Sequence, residues 1–173
     1  MDLVARKLGQ NKGMNFINFI ALMTETFTKN KVDGSLKDAF AEFEKARNVL
    51  GEMGGFFAQC GASGKFLVPI GNAYQFLELM STVTLGFFLL WQGAIAEKKL
   101  EAIKKEKNVK DDDWAAVAAL YKDNRDAAFY QGKVAAAKFY GAYILPHVVA
   151  MASAINQEYI IIMEIAESAF VSA

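Results

Sequence analysis

Few residues in this chain could do chemistry, and their spacing limits what chemistry that could be. There is one histidine, His147, and one cysteine, Cys60. A di-iron helical bundle needs glutamates on two helices plus two Glu-x-x-His pairs. Ile144 stands three positions before His147, so that ligand set is absent. A single imidazole also excludes any site that needs two, and His147, following Pro146 on a helical pattern, reads as a side chain satisfied by the fold. Cys60 cannot close an intramolecular disulfide, and no CxxC exists for zinc or redox work. As a nucleophile it would need a base and an electropositive setting, and the sequence supplies neither. It falls on an apolar helix seam, which reads as packing. Gly61-Ala62-Ser63-Gly64-Lys65 faintly looks like the end of a phosphate-binding loop. Gln59 stands where that motif needs its first glycine, and Phe66 where it needs a hydroxyl, so the segment reads as a helix stop. Glu158, Glu164 and Glu167 read as the wet side of the last helix. Phe87, Phe88 and Trp91, and the group Phe139, Tyr140 and Tyr143, read as core rather than a ligand box. On motif grounds no catalytic, cofactor-binding or metal-binding residue is expected.

The elements that carry these residues are helical nearly throughout. Leu36, Phe40, Phe43, Ala46, Leu50, Met53, Phe57 and Cys60 recur at steps of three and four, with charged residues between them. That spacing predicts an amphipathic helix of about 27 residues. Asp33-Gly34-Ser35 is its start signal, with Ser35 as N-cap and Asp38 three residues on. A second seam runs Tyr130, Val134, Ala137, Gly141, Ile144, Val148, Met151, Ile155. Its steps continue across Pro146, which predicts one kinked helix rather than two separate ones. Between the two seams lies Asn72 to about Glu106, apolar and then lysine-rich. The tail suits a helix C-terminus, and Glu101–Lys105 is a favourable pair one turn apart. Asn108 to Asp113 reads as a loop in which Asp111 or Asp112 caps a short helix from Trp114. Lys122-Asp123-Asn124 interrupts that helix. Near the N-terminus, Asp2–Leu8 and Met14–Phe27 read as two helical pieces around Gly9–Gly13. No segment alternates as a strand would. The expected fold class is all-α, an antiparallel up-and-down bundle of about four long helices.

Composition sets further bounds. The chain has 173 residues, a length that fits one domain, with 19 basic and 19 acidic side chains. Zero net charge gives no handle for nucleic acid. Hydrophobic types make up 54% of the sequence before its 13 glycines are counted, well above an average globular chain. Disorder is excluded. Two windows approach transmembrane length, Leu79 to Ala96 and Phe139 to Gln157. Ser81, Thr82, Thr84 and Gln92 interrupt the first, and Pro146, His147 and Asn156 the second. Neither is a clean span, so buried soluble helices are expected, with membrane contact as the minor reading. The N-terminus carries Asp2, Arg6 and Lys7 and no apolar signal region, which points to a cytoplasmic protein. The apolar excess predicts an exposed apolar patch or a homo-oligomer, with Phe16 and Phe19, Phe87 and Phe88, and Ile160 to Ile162 as contributors.

Two stretches carry a family resemblance. Asp2-Leu3-Val4-Ala5-Arg6-Lys7-Leu8, with the Gly9–Gly13 turn behind it, resembles the segment that follows the catalytic Tyr-Glu-Gly-Thr motif in a subgroup of acyl-CoA dehydrogenases. Phe129-Tyr130-Gln131-Gly132-Lys133, running on through Phe139-Tyr140 to Ile144-Leu145-Pro146, resembles the signature of that subgroup's extra helical C-terminal domain. The block from Tyr74 to Ala96 is similar in style, while the region from Lys104 to Asn124 is longer than the family pattern. The resemblance implies that residues 1–30 are the end of the dehydrogenase body plus the first bundle helix. Residues 31–173 would be the C-terminal bundle, in one compact domain overall. It implies a parent enzyme that holds FAD and performs α,β-dehydrogenation of an acyl-CoA with a glutamate base lying upstream of Met1. The catalytic domains of that parent would then be partners of this chain, which would have a structural and assembly role, no FAD of its own, and a homo-oligomeric state. Met1-Asp2-Leu3-Val4 starts inside an apolar helical phase with no N-cap ahead of it, which independently leads to the expectation of a fragment. The alternative is a stand-alone helical protein-interaction or oligomerisation domain.

Overall fold

A computed structural model describes residues 1–29, 34–156 and 160–170. The described residues are all-helical, with no strand among them. The chain opens on a π-helical turn, Leu3–Lys7, and a tight turn, Gln10–Gly13, before α1 (Met14–Lys29). Then follow α2 (Lys37–Ala62), the short α3 (Leu67–Gly71) and α4 (Ala73–Glu106), the longest element. The order closes with α5 (Trp114–Asp123), α6 (Arg125–Phe139), α7 (His147–Ile155) and α8 (Ile161–Glu164). The expected four long helices are therefore recut. Among the described residues only α2 and α4, of 26 and 34 residues, are long without a break. The last helix imagined around Glu164 and Glu167 is instead α8 and a separate turn, Glu167–Phe170.

The seams predicted from spacing are the ones the fold buries. Leu36, Phe43, Ala46, Leu50, Met53, Phe57 and Cys60 are buried, and Phe40 half-buried. α4 runs antiparallel to α2: Phe43 meets Phe87 at 6.3 Å between ring centres, and Phe57 meets Phe76 at 5.0 Å. Phe27 of α1 stands edge-on to Phe43 and Phe87, at 5.2 and 5.5 Å. Fully burying one such side chain contributes ~1.5–3 kcal/mol, so this aromatic cluster is a principal tie between the three helices. α6 also lies antiparallel to α4, and its line continues onto α2. A Cβ added to Gly93 would stand 2.7 Å from the Cβ of Ala137, so the two backbones approach to a distance only glycine allows.

Pro146 does kink its helix rather than divide it. The proline lacks an N–H, and the ladder adjusts just before it: Leu145 N–H donates five residues back to Tyr140, at 3.0 Å, closing the π-turn Tyr140–Ile144. Pro146 itself keeps helical angles, φ −59° and ψ −24°. The axis bends by 41° between the two halves, and Val134, Ala137, Gly141, Val148 and Ile155 stay buried across the bend.

Two local expectations are corrected. Ser35 does not cap α2, which starts at Lys37 with Leu36 at the cap position. Its N–H and hydroxyl instead donate to Glu97 of α4, a tertiary carboxylate that offers a charge-assisted bond. Asp33 of the same start signal lies outside the described residues. Asp113, not Asp111 or Asp112, caps α5, accepting from Ala116 N–H at 3.0 Å. Asp111 instead forms an ion pair with Lys104. Asn124 ends α5 as foreseen and caps α6, accepting from Ala127 N–H at 3.0 Å.

Candidate functional site

An apolar concavity lies at the N-terminal end and is built from local geometry. Asn11, Lys12 and Gly13 have φ of 53°, 56° and 81°. Three consecutive left-handed residues reverse the chain, and two of them lack glycine's freedom. The Leu3–Lys7 turn ahead of the reversal packs against α3 and α4. Opposite stands a face of α2 made of Gly51, Gly54, Gly55, Ala58 and Gly61, at helical spacing and off the buried seam. The Phe16 ring lies over Gly54, whereas Gly51, Gly55 and Gly61 look into open space. Val4, Leu8, Ile20, Phe66 and Pro69 complete a groove of about 830 Å³.

The groove is apolar, and among the described residues Lys12 is the single charged side chain lining it. On the outer side of the first turn, the Arg6 guanidinium bonds Asp2 at 2.6 Å and holds that carboxyl below the usual range. A flavin dinucleotide does not fit these residues, because a diphosphate needs several converging cations or N–H donors and the lining offers one cation. What the groove can do chemically is cover apolar surface of another element.

The residues singled out in the sequence are not brought together. His147 is exposed at the first turn of α7. Cys60 is buried in the seam of α2. Gly61–Lys65 is a helix stop: Gly64 has φ +79°, Gly64 N–H donates to Gly61 and Lys65 N–H to Cys60. That is the 5→2 and 6→1 pairing of a Schellman C-cap. Glu164 and Glu167 are exposed, and Glu158 lies outside the described residues. No group of three or more His, Cys, Asp or Glu able to hold a metal forms among the described residues. The two aromatic groups correct the core reading. Phe87 is buried and Tyr140 half-buried, its hydroxyl donating to Thr82 C=O at 3.1 Å, but Phe88, Trp91, Phe139 and Tyr143 are exposed. Phe16, Phe19 and Ile160 are half-buried and Ile161 is exposed, while the Ile162 side chain is outside the described set. The glycine face of α2 was missed, although five small residues at steps of three, one, three and three were its signal in the sequence.

The family described as "Acetyl-CoA dehydrogenase C-terminal like" matches residues 19–166, spanning α1 through α8. This chain belongs to that family. It is also similar to a butyryl-CoA dehydrogenase of Syntrophomonas wolfei, 29% identical over 147 residues, which is 85% of this chain. The chain spans about a fifth (21%) of that relative's length. In acyl-CoA dehydrogenase terms, the match covers the C-terminal helical domain and all of α2, including its glycine face.

Proposed function

We propose that this chain serves as the C-terminal helical module of a flavin-dependent acyl-CoA dehydrogenase, a parent that introduces an α,β double bond into an acyl-CoA. The module packs on the catalytic body, supports assembly, and contributes no catalytic residue. The observation that carries this reading is the open groove between the first turn and the glycine face of α2. Bare backbone on a helix admits close approach of a second element, and apolar lining of this extent favours cover by protein over water. Its N-terminal wall, Leu3 to Leu8, belongs to the segment that resembles the stretch after the family's catalytic motif. The similarity to a butyryl-CoA dehydrogenase supports the acyl-CoA substrate class.

The test is co-expression of the chain with the catalytic body encoded ahead of it. Copurification is expected, and Gly55→Leu, which fills open space in the groove, should weaken it while leaving the chain's helicity unchanged. The isolated chain should bind neither FAD nor acyl-CoA. A yellow protein with a flavin spectrum, or a reading frame that begins at Met1 with no dehydrogenase body, would overturn the proposal.

A further inference from the structure

The apolar groove has a direction. α1 runs antiparallel to α2, since Phe27 meets Phe43 while Phe16 lies over Gly54. Going back along α1 from Ala21 to Met14 therefore goes forward along α2 from Gly51 to Gly61. Lys12 stands just ahead of α1, so it lines the groove toward the Gly61 end, and the end near Ile20 and Gly51 carries no charge. Among the described residues Lys12 makes no hydrogen bond or ion pair. It also holds φ 56°, a left-handed conformation that costs a lysine energy and that glycine adopts freely. The packing of the fold itself gives no reason for a strained, unpaired cation at one end of an apolar trough. The floor of the trough is bare: a Cβ added to Gly51, Gly55 or Gly61 would meet nothing within 4 Å. From Gly51 to Gly61 that floor is about 15 Å long, the length of an extended alkyl chain of about a dozen carbons joined by ~1.5 Å bonds.

We propose that this groove binds a free fatty carboxylate of about a dozen carbons, with its carboxylate on Lys12 and its chain along the bare face of α2 toward Ile20. One cation matches one negative charge. A phosphomonoester carries nearly two. A CoA ester lacks the carboxylate and brings several phosphates, which a single lysine does not satisfy. The volume of about 830 Å³ falls within the ~300–1,000 Å³ of small-molecule sites, which pair an apolar lining with a few placed polar groups. The inference rests on the packing proposed above only in using the same groove. The carboxylate fills it in the free chain and competes with the catalytic body for it.

Titration calorimetry of the 173-residue chain with octanoate, decanoate and dodecanoate, below micelle-forming concentrations, should show a single site. Each added carbon should tighten binding by up to about fourfold, and the gain should stop at about a dozen carbons, where the bare face ends. Dodecyltrimethylammonium has the same tail and the opposite head charge, and at low salt it should bind about fivefold more weakly. Lys12→Gly should weaken dodecanoate by a similar factor and yet raise the Tm of the free chain by ~2 °C, because it relieves the left-handed strain. A lysine placed for structure alone would lower Tm when removed. Gly55→Leu, which fills the floor, should weaken dodecanoate by about tenfold or more. The chain-length and head-charge series need no variant, so they decide even if Gly55→Leu fails to fold. Absence of a dodecanoate site, equal affinity for the two head charges, or gains that continue through hexadecanoate would each overturn the proposal. Saturating dodecanoate should also reduce copurification of the catalytic body. Dodecanoate binding that left copurification intact would refute the packing of the body in the groove and uphold the carboxylate site.

Discussion

Replacing Gly141 by alanine should destabilise the fold, although alanine is the better helix former. Gly141 is buried where the bent line of α6 and α7 crosses α2. A Cβ built there falls onto the Cβ of Ala39, 2.6 Å from its Cα and 3.2 Å from its carbonyl oxygen. Two of those obstacles are backbone, so no rotamer change relieves the clash and the helices must move apart. Overpacking of this kind costs typically ~1–3 kcal/mol, and a backbone obstacle places this site near the upper value. The propensity gain of alanine over glycine returns ~1 kcal/mol, leaving a net loss of about 2 kcal/mol. For a chain of this size that lowers Tm by about 4–8 °C. Gly132, in the middle of α6, has nothing within 4 Å of an added Cβ. The same substitution there should therefore stabilise by ~0.5–1 kcal/mol. Urea unfolding and calorimetry of both variants decide the matter. If Gly141→Ala matched or exceeded the parent stability, or if the two variants shifted in the same direction, the close crossing of α2 would be refuted.

Asn124→Ala removes the side-chain cap of α6 and should cost ~1 kcal/mol, read as a lower urea midpoint with an unchanged m-value. Burial raises the Tyr140 phenol above its ordinary pKa of 10.0. The folded state thus favours the protonated form, and the stability this contributes is present below pH ~10 and lost as pH rises beyond it. An ultraviolet tyrosinate titration should show late-ionising tyrosines, Tyr74 beside Glu78 being raised as well, and their number should fall by one in Tyr140→Phe. Pro146→Ala should keep the fold and allow one more backbone hydrogen bond, with far-ultraviolet circular dichroism unchanged or slightly stronger. Loss of cooperative unfolding in that variant would count against a continuous helix.

Much of the architecture was legible because it is local. Steps of three and four named the buried residues of α2 almost one for one and five on the α6–α7 line, where Tyr130, Ile144 and Met151 are only half-buried, and the Gly64 stop and the Asn124 break followed from residue chemistry. The kink at Pro146 was legible for the same reason: a missing N–H acts within one turn. The caps failed where a distant group competed. Ser35 met Glu97, 62 residues away, and Asp111 met Lys104, so each left the local role its type prefers.

The sequence by itself determined that the chain is helical and which seams of α2 and α6–α7 face inward. It also determined the family resemblance, since that rests on residue identity. Only the tertiary structure decided which side of α4 is core and which is open. Periodicity selects a face only when the other face is polar, and α4 is apolar all round, so its orientation is set by Phe27, Phe43 and Ala137 packing against it. The groove was likewise a tertiary decision. Glycines at helical spacing state that a surface is bare, and what stands across from it depends on how the Asn11–Gly13 reversal returns the chain.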